Sequence, residues 1–176
     1  MRRVVTFFVV ILTALLLQTT VFADVKLLGA RPELLYLVTI VMAILEGPRS
    51  GAWTGFFGGM AQDFLMNEPK GISALTLTLL GYTVGLLRTY IVTPSPLLPT
   101  VLVAAGTAAG VVFDRFVALL LGQGDVSIGY VLQAAALSGV YTALLTPILF
   151  PILRRVAEGS RTRRVVRQGA PGVMRR

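Results

Sequence analysis

Long runs without a charged residue constrain the fold of this chain more than any other feature. Residues 4–23 contain no charged side chain and directly follow Arg2 and Arg3. About 20 consecutive apolar residues are enough for an α-helix to span a bilayer. Charged residues make up 14% of the chain, whereas an ordinary soluble domain carries about 25%. The sequence therefore predicts an all-α integral membrane protein.

Six apolar segments follow one another along the chain, and turn-like or charged stretches separate them. They cover residues 4–23, 33–47, 52–66, 72–92, 100–121 and 130–153. We expect a six-helix transmembrane domain over residues 1–153, although the second segment is short for a spanning helix. A signal peptide is the alternative for the first segment, but the apolar region of such a peptide is typically only about 7–15 residues long. Pro147 and Pro151 are expected to bend the last helix or loosen its end.

The distribution of lysine and arginine predicts that both termini are cytoplasmic. Twelve basic residues then lie inside and three outside, which is the bias that cytoplasmic loops show. The inner ones are Arg2, Arg3, Arg49, Arg88 and the eight arginines of residues 154–176, and the outer ones are Lys26, Arg31 and Lys70.

Residues 154–176 are predicted to form a basic, disordered cytoplasmic tail. The net charge of +8 comes mainly from this segment. No aromatic residue lies among its arginines, so a base-stacking surface for nucleic acid is not expected. A basic segment after an apolar helix is typical of a contact with anionic lipid.

The side chains that carry most enzyme chemistry are missing from the sequence. Cysteine and histidine are both absent, which excludes thiol catalysis and the commonest metal ligand and general base. None of the common hydrolase, metalloprotease or phosphate-binding motifs occurs. We therefore expect no enzyme activity, no catalytic residue, no metal and no cofactor.

Glycines at intervals of four predict close helix packing. They are Gly51, Gly55 and Gly59 in the third segment, Gly81 and Gly85 in the fourth, and Gly106 and Gly110 in the fifth. Residues four apart share one face of a helix, and small residues there let a neighbouring backbone approach. Such a pattern most often means packing alone, so we expect these three helices to pack closely on each other.

Two acids continue these glycine faces and are candidates for polar or partner contacts. Asp63 follows Gly59 by four residues, and Asp114 follows Gly110 by four. A charge at the centre of a membrane helix costs about 2.5–3.5 kcal/mol. Each carboxylate is therefore expected to find a polar partner on another helix or in a polar cavity. Asp63, near a helix end, has the alternative of reaching headgroups or water.

The candidate partners of Asp63 are Gln62 and Ser73 nearby in the sequence, Arg115 of the fifth helix, or another protein. Arg115 follows Asp114 directly, but adjacent helical residues do not face each other. The alternative for Arg115 is to extend outward toward the membrane surface.

Taken in order, several stretches resemble the family of the bacterial rod shape-determining protein MreD. They are "LLLQTTVF", "LLGARPELLYLVTIVMAILEGPRSGAWTGFFGGMAQDF" and "GISALTLTLLGYTVGLL". In that family a glycine-rich helix ends near an acid, and a glycine-led GxSAL helix follows. The corresponding positions here are Gly55, Gly59, Asp63, Gly71, Ser73, Ala74 and Leu75. The resemblance covers about residues 1–155 and is strongest between residues 27 and 87, while the tail is longer than the family pattern requires.

The resemblance implies a non-enzymatic scaffold in the bacterial inner membrane. Members of that family accompany the bitopic protein MreC and link MreB filaments to the peptidoglycan synthases of the elongating wall. They are similar in plan to the six-helix substrate-binding subunits of energy-coupling-factor vitamin transporters. The alternative function is therefore a small-molecule binding subunit, which needs converging polar groups near the outer face. The outer loops of this chain are short and poor in such groups, which favours the scaffold.

Overall fold

The computed structural model describes residues 2–21, 32–65, 71–88, 97–122 and 127–159. These residues form six α-helices and no strand. In chain order the helices are α1 (Arg2–Thr20), α2 (Leu34–Glu46), α3 (Pro48–Leu65), α4 (Ile72–Leu87), α5 (Leu98–Leu120) and α6 (Ile128–Gly159). The all-helical class and the order of the helices agree with the prediction from the sequence.

Two helix boundaries differ from the predicted segments. Only Gly47 separates α2 from α3, and its φ of 98° lies in the left-handed region that glycine tolerates. Pro48 opens α3, a position where its missing N–H costs nothing. At the other end, α6 continues through Pro147 and Pro151 to Gly159, beyond the predicted end of the apolar segment at residue 153.

Only some of the helices are long enough to cross a bilayer unaided. By length and composition, α5 and residues Ile128–Ala157 of α6 meet that requirement. The apolar stretches Phe7–Thr20, Leu34–Glu46 and Ile72–Leu87 are shorter. Six complete spans therefore remain a prediction.

The short helix α2 lies at the centre of the bundle. It contacts each of the other five helices, and ten of its 13 residues are buried. Leu35, Leu37 and Ile40 have no exposed surface. Most of α2 is therefore covered by the other five helices.

The surface of the bundle is rich in apolar side chains, unlike that of a water-soluble protein, and its interior holds polar side chains beside apolar ones. Large apolar side chains such as Trp53, Phe116 and Ile148 are more than half exposed. Polar side chains, including Thr54, Asp63 and others on α2, α5 and α6, are buried. Exposed apolar surface on this scale marks contact with lipid or with another protein, and hydrogen bonds between helices are typical of membrane bundles.

Candidate functional site

Helices α3 and α4 approach each other backbone to backbone through their glycines. An added Cβ at Gly55 would lie 2.2 Å from the carbonyl oxygen of Leu77, and one at Gly59 would lie 2.4 Å from Ala74 Cα. Gly51 and Gly81 face each other across the same interface, each with a backbone atom of the other within 2.5 Å of its added Cβ. No other residue type fits these positions without moving a helix.

The helices are equally close at the end of this interface where α3 begins. At Gly85, an added Cβ would lie 2.3 Å from Pro48 Cα, at the start of α3. The antiparallel pair of α3 and α4 is therefore held in contact along its whole length, and we call this pair the glycine hairpin.

The glycines of α5 make room for side chains rather than for a backbone. An added Cβ at Gly110 would lie 2.2 Å from Cε1 of Tyr36, and one at Gly106 would lie 2.7 Å from Cδ1 of Ile40. Tyr36 and Ile40 are four residues apart on α2, so two successive turns of α2 fit into the glycine face of α5.

Asp63 caps the first turn of α4 from the end of α3. Its Oδ2 accepts hydrogen bonds from the backbone N–H groups of Gly71, at 2.7 Å, and Ala74, at 3.4 Å. Its Oδ1 accepts one from the N–H of Ser73, at 3.3 Å. The first N–H groups of a helix have no partner within the helix and carry partial positive charge. The fully buried carboxylate of Asp63 is matched to that charge.

Asp114 joins three helices through two hydroxyl groups. The phenol of Tyr36 on α2 donates a hydrogen bond to its Oδ2, and the hydroxyl of Thr76 on α4 donates one to its Oδ1. Asp114 is only half-buried. We call Tyr36, Thr76 and Asp114 the α2–α4–α5 cluster.

Arg115, which the sequence also suggested for a polar contact, lies away from Asp63 and from the α2–α4–α5 cluster. The side chain of Arg115 is exposed, on a different face of α5 from Asp114. Ser73 meets Asp63 through its backbone N–H. Among the partners expected for Asp63, Ser73 at the start of α4 contacts it in the described part of the chain, and Arg115 does not.

A third polar contact was not predicted from the sequence. Gln18 of α1 donates from Nε2 to the Glu33 carboxylate, at 3.0 Å, and its Oε1 accepts from the backbone N–H of Leu35, at 3.3 Å. The N–H of Glu33 donates to Oγ1 of Thr142 on α6, at 3.0 Å. The start of α2 is thus capped by other helices, as the start of α4 is. The only hint of this contact in the sequence was Gln18 itself, a polar residue in an apolar run, because its partner Glu33 lies 15 residues away.

A shallow groove of about 580 Å³ lies between α5 and α6. Its walls are entirely apolar and include Ala108, Phe113, Phe116, Leu132 and Ala135. The described residues also contain no group of acids that could hold a metal ion.

The chain has an apolar outer surface, glycine contacts between helices and carboxylates that join helices. Together these features define a helical membrane protein held together by interhelical contacts. The family model described as "rod shape-determining protein MreD" matches residues 1–156, and the chain belongs to this family of membrane proteins with a role in rod shape determination. This confirms the resemblance seen in the sequence. No curated protein and no solved structure matches the chain.

Proposed function

We propose that this protein is a non-enzymatic scaffold of the bacterial elongation complex. In this proposal it crosses the inner membrane six times with both termini in the cytoplasm. It binds an MreC-like bitopic protein and helps to couple that protein, MreB and the peptidoglycan synthases. The family match over residues 1–156 carries the proposal.

The contacts that the carboxylates of Asp63 and Asp114 make support a scaffold. Asp63 accepts from the first N–H groups of α4, and Asp114 accepts from the hydroxyls of Tyr36 and Thr76. Both acids thus contribute to fixing one helix against another. A scaffold requires this property, because it has to present partner surfaces in a fixed geometry.

The alternative of a vitamin-binding subunit requires a pocket with several converging polar groups. The groove between α5 and α6 is open and lined by alanine, valine, leucine and phenylalanine. Such walls suit a helix or an acyl chain better than a polar vitamin. The scaffold therefore remains the function that the described geometry supports best.

Affinity purification separates the two functions. We expect the tagged protein, extracted in mild detergent, to carry an MreC-like protein and wall synthases with it. Recovery of ATPase subunits and a transmembrane coupling subunit would instead establish the transporter. The variant Gly59→Leu, which forces a side chain into the glycine hairpin, should recover less of the MreC-like partner, whereas Gly129→Leu serves as the matched control because Gly129 faces open space.

A further inference from the structure

Two arginines, Arg49 in the first turn of α3 and Arg88 just after the last residue of α4, lie at the same end of the glycine hairpin. Nη1 of Arg88 is 3.7 Å from the position of a Cβ added to Gly47, and Arg49 follows Gly47 by two residues. Both side chains are exposed. Within the described part of the chain, neither guanidinium group forms a hydrogen bond or an ion pair.

One acid, Glu46, lies at the same end of the hairpin, just before Gly47. Its Oε2 accepts a hydrogen bond from the hydroxyl of Ser50, at 3.1 Å, and its Oε1 is buried and has no partner among the described residues. The two exposed guanidinium groups carry one charge more than this carboxylate, so a net positive charge remains at this end of the hairpin.

An exposed aromatic surface lies one turn further along α3, on the same face as Arg49. Trp53 is 62% exposed and stacks on Phe57 with ring centroids 5.6 Å apart. Phe56 and, from α1, Phe8 pack edge-on or tilted against Phe57. We call Trp53, Phe56, Phe57 and Phe8 the aromatic patch.

The spacing of charge and aromatic rings matches the layers of a bilayer. Trp53 follows Arg49 by four residues, and this spacing corresponds to about 6 Å along the helix axis. The headgroup layer on each side of the hydrocarbon core is about 5–7 Å thick. Tryptophan prefers the boundary between these layers, and arginine pairs with phosphate through two parallel hydrogen bonds.

The geometry points to a binding site for an anionic phospholipid at this end of the glycine hairpin. Arg49 and Arg88 hold the headgroup phosphate, and an acyl chain lies along the aromatic patch. A lipid of net negative charge is selected because the two exposed arginines outnumber the one acid, Glu46, at this end of the hairpin.

The single tryptophan of the chain is a built-in probe, because Trp53 lies inside the proposed site. The protein is placed in nanodiscs of phosphatidylcholine, with either brominated phosphatidylglycerol or brominated phosphatidylcholine at equal mole fraction. We expect the anionic lipid to quench Trp53 several-fold more effectively, since each basic residue near an anionic surface contributes about fivefold in binding. Equal quenching by the two lipids would overturn the site and leave the patch to a protein partner.

Two variants test whether these arginines cause the preference. Arg49→Gln with Arg88→Gln should lower the preference for the anionic lipid several-fold, while Arg115→Gln, at an exposed position on α5, should leave the preference intact. The tail is present in all these proteins, so its contribution to the preference is the same in each and does not affect the comparison between variants. A preference in the double variant equal to that of Arg115→Gln would refute the assignment. Arg49→Lys with Arg88→Lys keeps both charges and should retain most of the preference, which separates loss of charge from loss of fold.

Discussion

Asp63 is a fully buried carboxylate whose partners in the described structure are three backbone N–H groups. A helix start supplies the positive partial charge that a lysine or arginine would supply elsewhere. Asp63 lies two residues before the end of α3, and α4 begins at Ile72. A single side chain near the end of α3 therefore fixes the start of α4.

Replacing Asp63 should destabilise the protein in proportion to the N–H groups left unpaired. We expect Asp63→Asn, which keeps one acceptor oxygen, to lower the free energy of unfolding by about 1 kcal/mol. Asp63→Ala should lower it by about 2–3 kcal/mol. Unfolding by SDS in mixed micelles measures both.

Arg115→Gln is the control for Asp63, because its side chain is exposed. It should change the free energy of unfolding by less than about 0.5 kcal/mol. If it matched the loss in Asp63→Ala, and if the double variant Asp63→Asn with Arg115→Gln recovered stability, an ion pair would replace the cap as the explanation.

The bond between Tyr36 and Asp114 can be measured by a double-mutant cycle. We expect a coupling energy of about 1 kcal/mol between Tyr36→Phe and Asp114→Asn, which is typical of hydrogen bonds between membrane helices. Tyr130 is exposed, so the same cycle with Tyr130→Phe should give no coupling. A zero result for Tyr36 would remove this contact from the α2–α4–α5 cluster.

At the scale of the helices, the glycines of α3 differ in what a methyl group would meet. An added Cβ at Gly55 meets the backbone of Leu77, and one at Gly58 meets only side chains, those of Leu35, at 3.1 Å, and Ile11, at 3.9 Å. Gly129, at the start of α6, has only Ser127 Oγ at 4.0 Å. Because a side chain can move and a helix backbone cannot do so alone, these positions form a graded series.

Alanine substitutions along this series should follow that order. Gly55→Ala is expected to lower the free energy of unfolding by about 1–3 kcal/mol, the usual cost of overpacking. Gly58→Ala should cost less, and Gly129→Ala should be neutral or slightly stabilising, because alanine favours the helix. The same micelle unfolding assay applies, and equal effects at all three positions would contradict close backbone contact at Gly55.

Sequence patterns predicted the positions of the helices better than they predicted which groups the side chains of those helices contact. Intervals of four residues placed Gly55, Gly59 and Asp63 on one face, but they did not show what that face meets. Asp63 meets backbone N–H groups, which every sequence has, so no residue type indicated its partner. Tyr36 and Thr76 look like ordinary members of apolar helices, and only the tertiary arrangement brings them to Asp114.

For the whole molecule, the membrane topology is the property with the most direct test. The native chain has no cysteine, so each introduced cysteine reports alone. We expect an impermeant maleimide to label cysteines at positions 26, 70 and 125 in intact cells, and a cysteine at position 163 only after the cells are opened. Labelling of position 163 from outside would contradict the proposed orientation.

The central helix has a further consequence. Bacterial chains are made from the N-terminus, so in the six-span arrangement proposed above α2 enters the membrane before α3 to α6 have been made. Those helices later surround α2. In that arrangement every side of α2 must be acceptable to lipid during synthesis, although most of its surface contacts protein in the folded bundle. The absence of charged side chains from residues 34–45 meets this requirement.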